Sequence, residues 1–149
     1  MKRVLSTVFL LLSLTLLFSS CATKNISIED CEWQMRTVIS GDIETSQNED
    51  SLVVAVGEPD ELYPDAKIVD LILIAKDGKI TINDETNNKT YNGTYKVQQK
   101  TPKGNVYEVT INGQDGYATV APTEYYDGSE IPTLPINLGE YGLYFTPIS

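Results

Sequence analysis

Few residues in this 149-residue chain are able to do covalent or acid–base chemistry, and their placement narrows the choice of function. There is no histidine. That removes the usual general base of a serine or cysteine nucleophile, and the usual nitrogen ligand of zinc. Cys21 and Cys31 are the only thiols, and nothing near Cys31 supplies the base that a cysteine nucleophile would need. Carboxylates are plentiful, 21 in all. A glycoside hydrolase needs two of them facing each other across a cleft. Glu58, Asp60 and Glu61 are the nearest set, but they stand in a turn-rich stretch, and a solvated loop is the commoner fate of such a run. Oxygen ligands for calcium are offered by Asn83-Asp84-Glu85 with Asn87-Asn88, and by residues 112–115. Neither stretch has helix–loop–helix spacing, and turn formation accounts for both. No glycine-rich phosphate loop is present. The chain therefore reads as a non-enzyme without metal or cofactor.

Aromatic side chains offer the remaining chemistry, which is contact. Nine tyrosines stand against three phenylalanines. Tyr95, Tyr107 and Tyr141 share parity with neighbouring apolar residues and read as core. Tyr125-Tyr126 beside Asp127-Gly128 must face opposite ways if extended, which would leave one exposed. Tyr63 lies on the acidic loop. The candidate binding residues are thus Tyr63 with Asp60 and Glu61, and Tyr125 with Tyr126. Loops positioned by a rigid scaffold are where such contacts usually sit.

The first twenty-one residues give an address. Lys2 and Arg3 precede an apolar run, residues 4–18, which ends in Ser19-Ser20-Cys21. A basic head, a short apolar stretch and small residues form the pattern of a secretory signal. The apolar run is shorter than the roughly twenty residues that a bilayer span requires. Cys21 after two small residues resembles the bacterial lipoprotein processing site, although Phe18 stands where such sites carry leucine. The resemblance implies lipid attachment at Cys21, residues 1–20 as a cleaved signal, and a protein held at the extracytoplasmic face of a membrane. Residues 21–31 then read as a lipidated N-terminus and polar tether, and residues 32–149 as one domain.

Without residues 1–20 the chain keeps 9 basic and 21 acidic residues, a net charge of −12. Such a surface repels phosphate backbones and anionic headgroups, so nucleic acid is excluded as a partner and a neutral or basic one is favoured. If the Cys21 thiol carries lipid, no intramolecular disulfide framework is open to Cys31. Cys31 shares parity with Trp33, Met35 and Ile39, which places it as a small buried group on an extended segment.

The pattern from residue 32 onward is β. Residues 32–40 read as a first strand with Trp33, Met35 and Ile39 on one face. A polar acidic loop, residues 41–51, and a short apolar run, residues 52–56, follow. Residues 57–65 are turn-rich, with room for one helical turn at most. Thereafter short strands alternate with turn signals at Asp77-Gly78, residues 101–104, Asn112-Gly113, Asp115-Gly116, Asp127-Gly128 and Gly139-Glu140. Gly93 marks a bulge or bend inside a strand, and Pro132 and Pro135 mark an edge strand or a strand's start. Eight or nine short strands with short connections predict an all-β, antiparallel up-and-down meander. It should close into a β-barrel or barrel-like sandwich, which leaves no open edges.

An early Trp33 after a secretory leader, followed by a meander with Gly93-Thr94-Tyr95 mid-chain, resembles bacterial lipocalin-like lipoproteins. Cys31-Glu32-Trp33 has cysteine where lipocalins carry glycine, and no arginine follows Arg36. What carries over is Trp33 as a plug at the barrel base. The resemblance implies a barrel, with a calyx for a small apolar ligand as one outcome and a filled interior serving an exported protein partner as the other.

Overall fold

Strands that alternate apolar and polar residues must cover their apolar face, and a sheet does so by curling until its first and last strands pair. The computed structural model describes residues 26–40 and 53–148. The expected signal at 1–20, Cys21 with residues 22–25, and the acidic loop 41–51 lie outside the described residues. Ten strands run in chain order: β1 Trp33–Ser40, β2 Val53–Val56, β3 Lys67–Ile68, β4 Leu71–Lys76, β5 Lys79–Asp84, β6 Lys89–Thr101, β7 Gly104–Ile111, β8 Gln114–Glu124, β9 Glu130–Leu138 and β10 Tyr141–Pro147. From β4 to β10 each strand pairs antiparallel with the next. β1 then pairs with β10 along one edge and with β4 along the other, closing an eight-stranded meander barrel. The expected all-β class, order and closure hold.

β2 and β3 stand outside this ring. β4 pairs with β1 only at Trp33 and Gln34. The second half of that edge pairs with β2, against which β3 lies parallel. β3 has only two residues, and no sequence pattern announces it. Residues 57–66 form turns with no helix.

Two-residue turns fall where the residue types demand them. Asp77 and Gly78 both have positive φ, 50° and 77°, as do Asn112 and Gly113 at 51° and 79°. That backbone twist matches the twist of the paired strands. Asp115-Gly116 is different: both residues lie within β8, paired to β7. Gly116 serves there as a close-approach residue, since a Cβ on it would stand 2.0 Å from the Asn137 carbonyl oxygen.

The barrel's two ends differ. Trp33, Met35, Leu73, Tyr107, Leu134, Ile136 and Phe145 are fully buried and fill the end at which β1 begins. Residues 26–31 close that end. Ile28 is fully buried, and its carbonyl accepts a 2.8 Å bond from Trp33 Nε1 while its amide donates to Tyr107 Oη at 3.1 Å. Glu29 accepts bonds from the Tyr95 hydroxyl and the Asp77 amide. The rings of Tyr95 and Tyr107 meet edge to face at 5.7 Å. The described part of the expected tether is therefore packed as a plug, with Cys31 half-buried against the core. Asn105 Nδ2 donates to the Ile26 carbonyl at 3.1 Å, but Asn105 Oδ1 is buried without a hydrogen-bond partner among the described residues, an omission that costs about 1–3 kcal/mol.

Three expectations about the strands need correction. The register of β1 shifts between Met35 and Thr37, so parity reverses at Arg36. Val38, opposite Leu143, packs on the core instead of Ile39. Gly93 sits in unbroken register with both β5 and β7. It is a bend of close approach, with Thr110 O only 2.3 Å from where its Cβ would be; the bulge in β6 falls between Val97 and Gln99. β9, with Pro132 and Pro135, is no edge: it pairs with β8 and β10. The β8–β9 ladder is interrupted between Ala118/Ile136 and Ala121/Thr133, next to Pro135, and resumes in the same register. A proline that lacks its donor is tolerated at such a gap.

Candidate functional site

Opposite the plug the described residues leave the barrel open. The turns β5–β6, β7–β8 and β9–β10 and the second half of β1 surround a cavity of about 520 Å3. Its floor is apolar and buried: Leu71, Ile82, Ile111 and Leu138, each no more than 8% exposed. Val38, Val69, Tyr91 and Leu143 form half-buried walls. Apart from Val69, which lies between β3 and β4, both groups come from inward positions of their strands, so the period-two pattern that builds the core also lines the cup. The base is closed by Trp33, Tyr107, Phe145 and the Ile28 plug, whereas the lining here, Tyr91 and Tyr141 included, leaves a space. An eight-stranded barrel has room for either arrangement.

The rim is polar. Asn87, Asn112 and Gln114 reach it from the turns, and Lys67 reaches it from β3. Gly139, at φ 57°, lies so close to Gln114 that a Cβ would stand 2.1 Å from its Nε2, which packs the β9–β10 turn against the start of β8. Tyr141, expected in the core, is 39% exposed and lines the cavity at this mouth.

One charged group enters the apolar lining. β5 turns Ile80, Ile82 and Asp84 inward, and Asp84 is 4% exposed. Its Oδ1 accepts the Asn87 amide at 2.9 Å, and the Asn87 side-chain nitrogen lies 3.1 Å from Oδ1 and 2.8 Å from Oδ2. These bonds shape the β5–β6 turn, completed by Asn88 at φ 51°. The Asn/Asp-rich stretch weighed for calcium is thus occupied by turn geometry. Among the described residues no cluster of three or more His, Cys, Asp or Glu is arranged to hold a metal.

The residues chosen from the sequence lie elsewhere. Asp60, Glu61 and Tyr63 line a separate surface depression of about 380 Å3, with Val56, Pro59, Pro64, Ala66 and Ile68. Asp60 Oδ1 accepts the Leu62 amide at 2.8 Å, and Glu58 is ion-paired with Arg36. Tyr125 and Tyr126 sit at the β8–β9 turn on the plugged side. Tyr126 is fully exposed and Tyr125 partly so. Partial burial raises the Tyr125 hydroxyl above its ordinary pKa, and a hydrogen bond with Tyr144 adds to this against the opposing pull of Arg36. None of these five residues lines the cup. A signal for the cup was present in the sequence: Asp84 follows Ile80 and Ile82 at the same parity, a charge in register with a buried row.

The chain matches no family model, no curated protein and no solved structure.

Proposed function

We propose that this protein is a lipocalin-like binding module that takes a small apolar ligand in the open end of its barrel, without catalysis, while a lipid on Cys21 holds it at the extracytoplasmic face of a membrane. The cup carries this reading: a concave apolar space of about 520 Å3 with a few polar groups at its rim is within the size and composition of small-molecule sites. Trp33 at the opposite end plugs the base, in keeping with the resemblance to lipocalin-like lipoproteins. The non-catalytic part of the reading is supported by the occupations of the carboxylates once weighed for hydrolysis. Glu58 pairs with Arg36, and Asp60 accepts a bond in its own turn.

The test uses the full chain carrying Cys21→Ser, which removes the attachment point and allows handling without detergent. The neutral dye N-phenyl-1-naphthylamine is expected to gain fluorescence on binding. Leu143→Trp, which narrows the cup, should reduce that gain and keep the β-type circular dichroism. Equal gain in both proteins, or none in the unblocked one, would remove the cup as a binding site. The anchor is tested separately by metabolic labelling with a fatty acid, which should mark the natural chain and not Cys21→Ser.

A further inference from the structure

The buried carboxylate in the cup says more about the ligand than the apolar walls do. Resting on the reading of the cup as a ligand site, we infer that the preferred ligand is cationic: an apolar body ending in an ammonium-like group that meets Asp84. Asp84 is 4% exposed, and among the described residues it is ion-paired with no lysine or arginine. Among the described residues its hydrogen bonds come from one residue, Asn87. A carboxylate taken out of water is costly unless an opposite charge and further donors compensate it. The two oxygens together accept about four bonds, so Asn87 leaves capacity for a ligand donor. Leu71, Ile82 and Leu138 beside it form apolar surface that would cover the body of the ligand.

Charge at the rest of the mouth agrees with this. Among the described residues Lys67 is the one cationic side chain lining the cup, and it is exposed on β3. Around the cup lies a chain with 21 acidic residues and 11 basic ones, whose field draws cations and repels anions. An anionic amphiphile of the same size would bring its charge against Asp84 and lose that advantage.

The experiment compares octylamine, 1-octanol and octanoate at pH 7 by titration calorimetry on the full chain carrying Cys21→Ser. Octylamine is expected to bind at least tenfold more tightly than 1-octanol, and octanoate more weakly than either. Asp84→Asn keeps the shape and an acceptor for the Asn87 amide. It should bring octylamine to the level of 1-octanol and leave 1-octanol unchanged. Lys67→Gln should leave the amine preference in place. Tightest binding by octanoate would make Lys67 the recognising charge and overturn the inference. So would an amine preference that survives Asp84→Asn. Naphthylamine binding without any advantage for octylamine would sink the inference alone. Loss of both would remove the cup reading as well.

Discussion

Trp33 contributes to the fold in two separable ways. Its ring is fully buried, and its Nε1 donates to the Ile28 carbonyl. Trp33→Ala is expected to lower unfolding free energy by ~3–5 kcal/mol, through lost transfer energy and the cavity left behind. Trp33→Phe keeps most of the apolar ring and forfeits the bond, so its cost should be about 1–3 kcal/mol, the penalty of an unmet buried acceptor. Urea denaturation followed by circular dichroism separates the two; equal losses would mean that the plug contact with Ile28 does the stabilising. Tyr125 is one residue whose titration the surroundings shift, as Asp127 is another, lowered by its hydrogen bonds with Ser129. Because the folded pKa of Tyr125 is raised above the ordinary 10.0, the native state holds the proton to higher pH than the unfolded chain. The unfolded state then binds fewer protons, so this group's effect is absent below pH 10 and erodes stability as pH rises beyond it. An ultraviolet difference titration against Tyr125→Phe should place its midpoint above 10.0 and show a fall in Tyr144→Phe. Residue roles were legible in the sequence where parity alone decides them, as for Tyr107 and Phe145. Ile39 was misassigned because one bulge upstream reverses every position after it.

The elements bear their strain at glycines, for two different reasons. Gly93 has no room for a Cβ, which would meet the Thr110 backbone oxygen at 2.3 Å. Gly113 has open space around it but a φ of 79°. Gly93→Ala must therefore push β6 and β7 apart, while Gly113→Ala only strains its own turn. The expected losses are about 1–3 kcal/mol for the first and ~1 kcal/mol for the second. Thermal melts of both variants check the order, and a larger loss at Gly113 would contradict the close approach seen at Gly93. Hairpins such as Asp77-Gly78 were readable because their backbone angles favour particular residue types. β3 and the continuation of β9 past Pro135 were not, since each depends on a neighbouring strand distant in sequence. β1 shows the same dependence most fully. One of its edges is shared between β4 and β2, and the bulge at Arg36 turns that side chain toward Thr146 and Glu58.

At the scale of the whole molecule, the meander closes because β1 and β10 meet, and closure was legible from short connections and repeated turn signals. The location of the cup was not. Loops rich in tyrosine and acid stand out in the sequence, whereas the cavity arises because the segment around Ile28 plugs one end of the barrel and none of the described residues fills the other. That difference appears only when eight strands are laid side by side. It also explains why Tyr141 has the parity of a core residue and nonetheless lines an opening: its strand begins at the mouth.

The pairing of Trp33 with Pro147 brings the two ends of the described barrel side by side, and the Ile148 amide donates to the Glu32 carbonyl at 2.9 Å. Both lie on the plugged side. Ile148 ends beside β1, whereas Ile26, whose carbonyl accepts from Asn105 Nδ2 on β7, lies across the base, so a Gly/Ser linker joining residues 26 and 148 must span the plugged end, with new termini cut at the exposed turn of Asp127-Gly128. The sheet order is unchanged by this rearrangement, so the permuted chain is expected to reach the same barrel with the same dye affinity. The geometry also places both ends of the described segment, residues 26 and 148, at the base and away from the mouth.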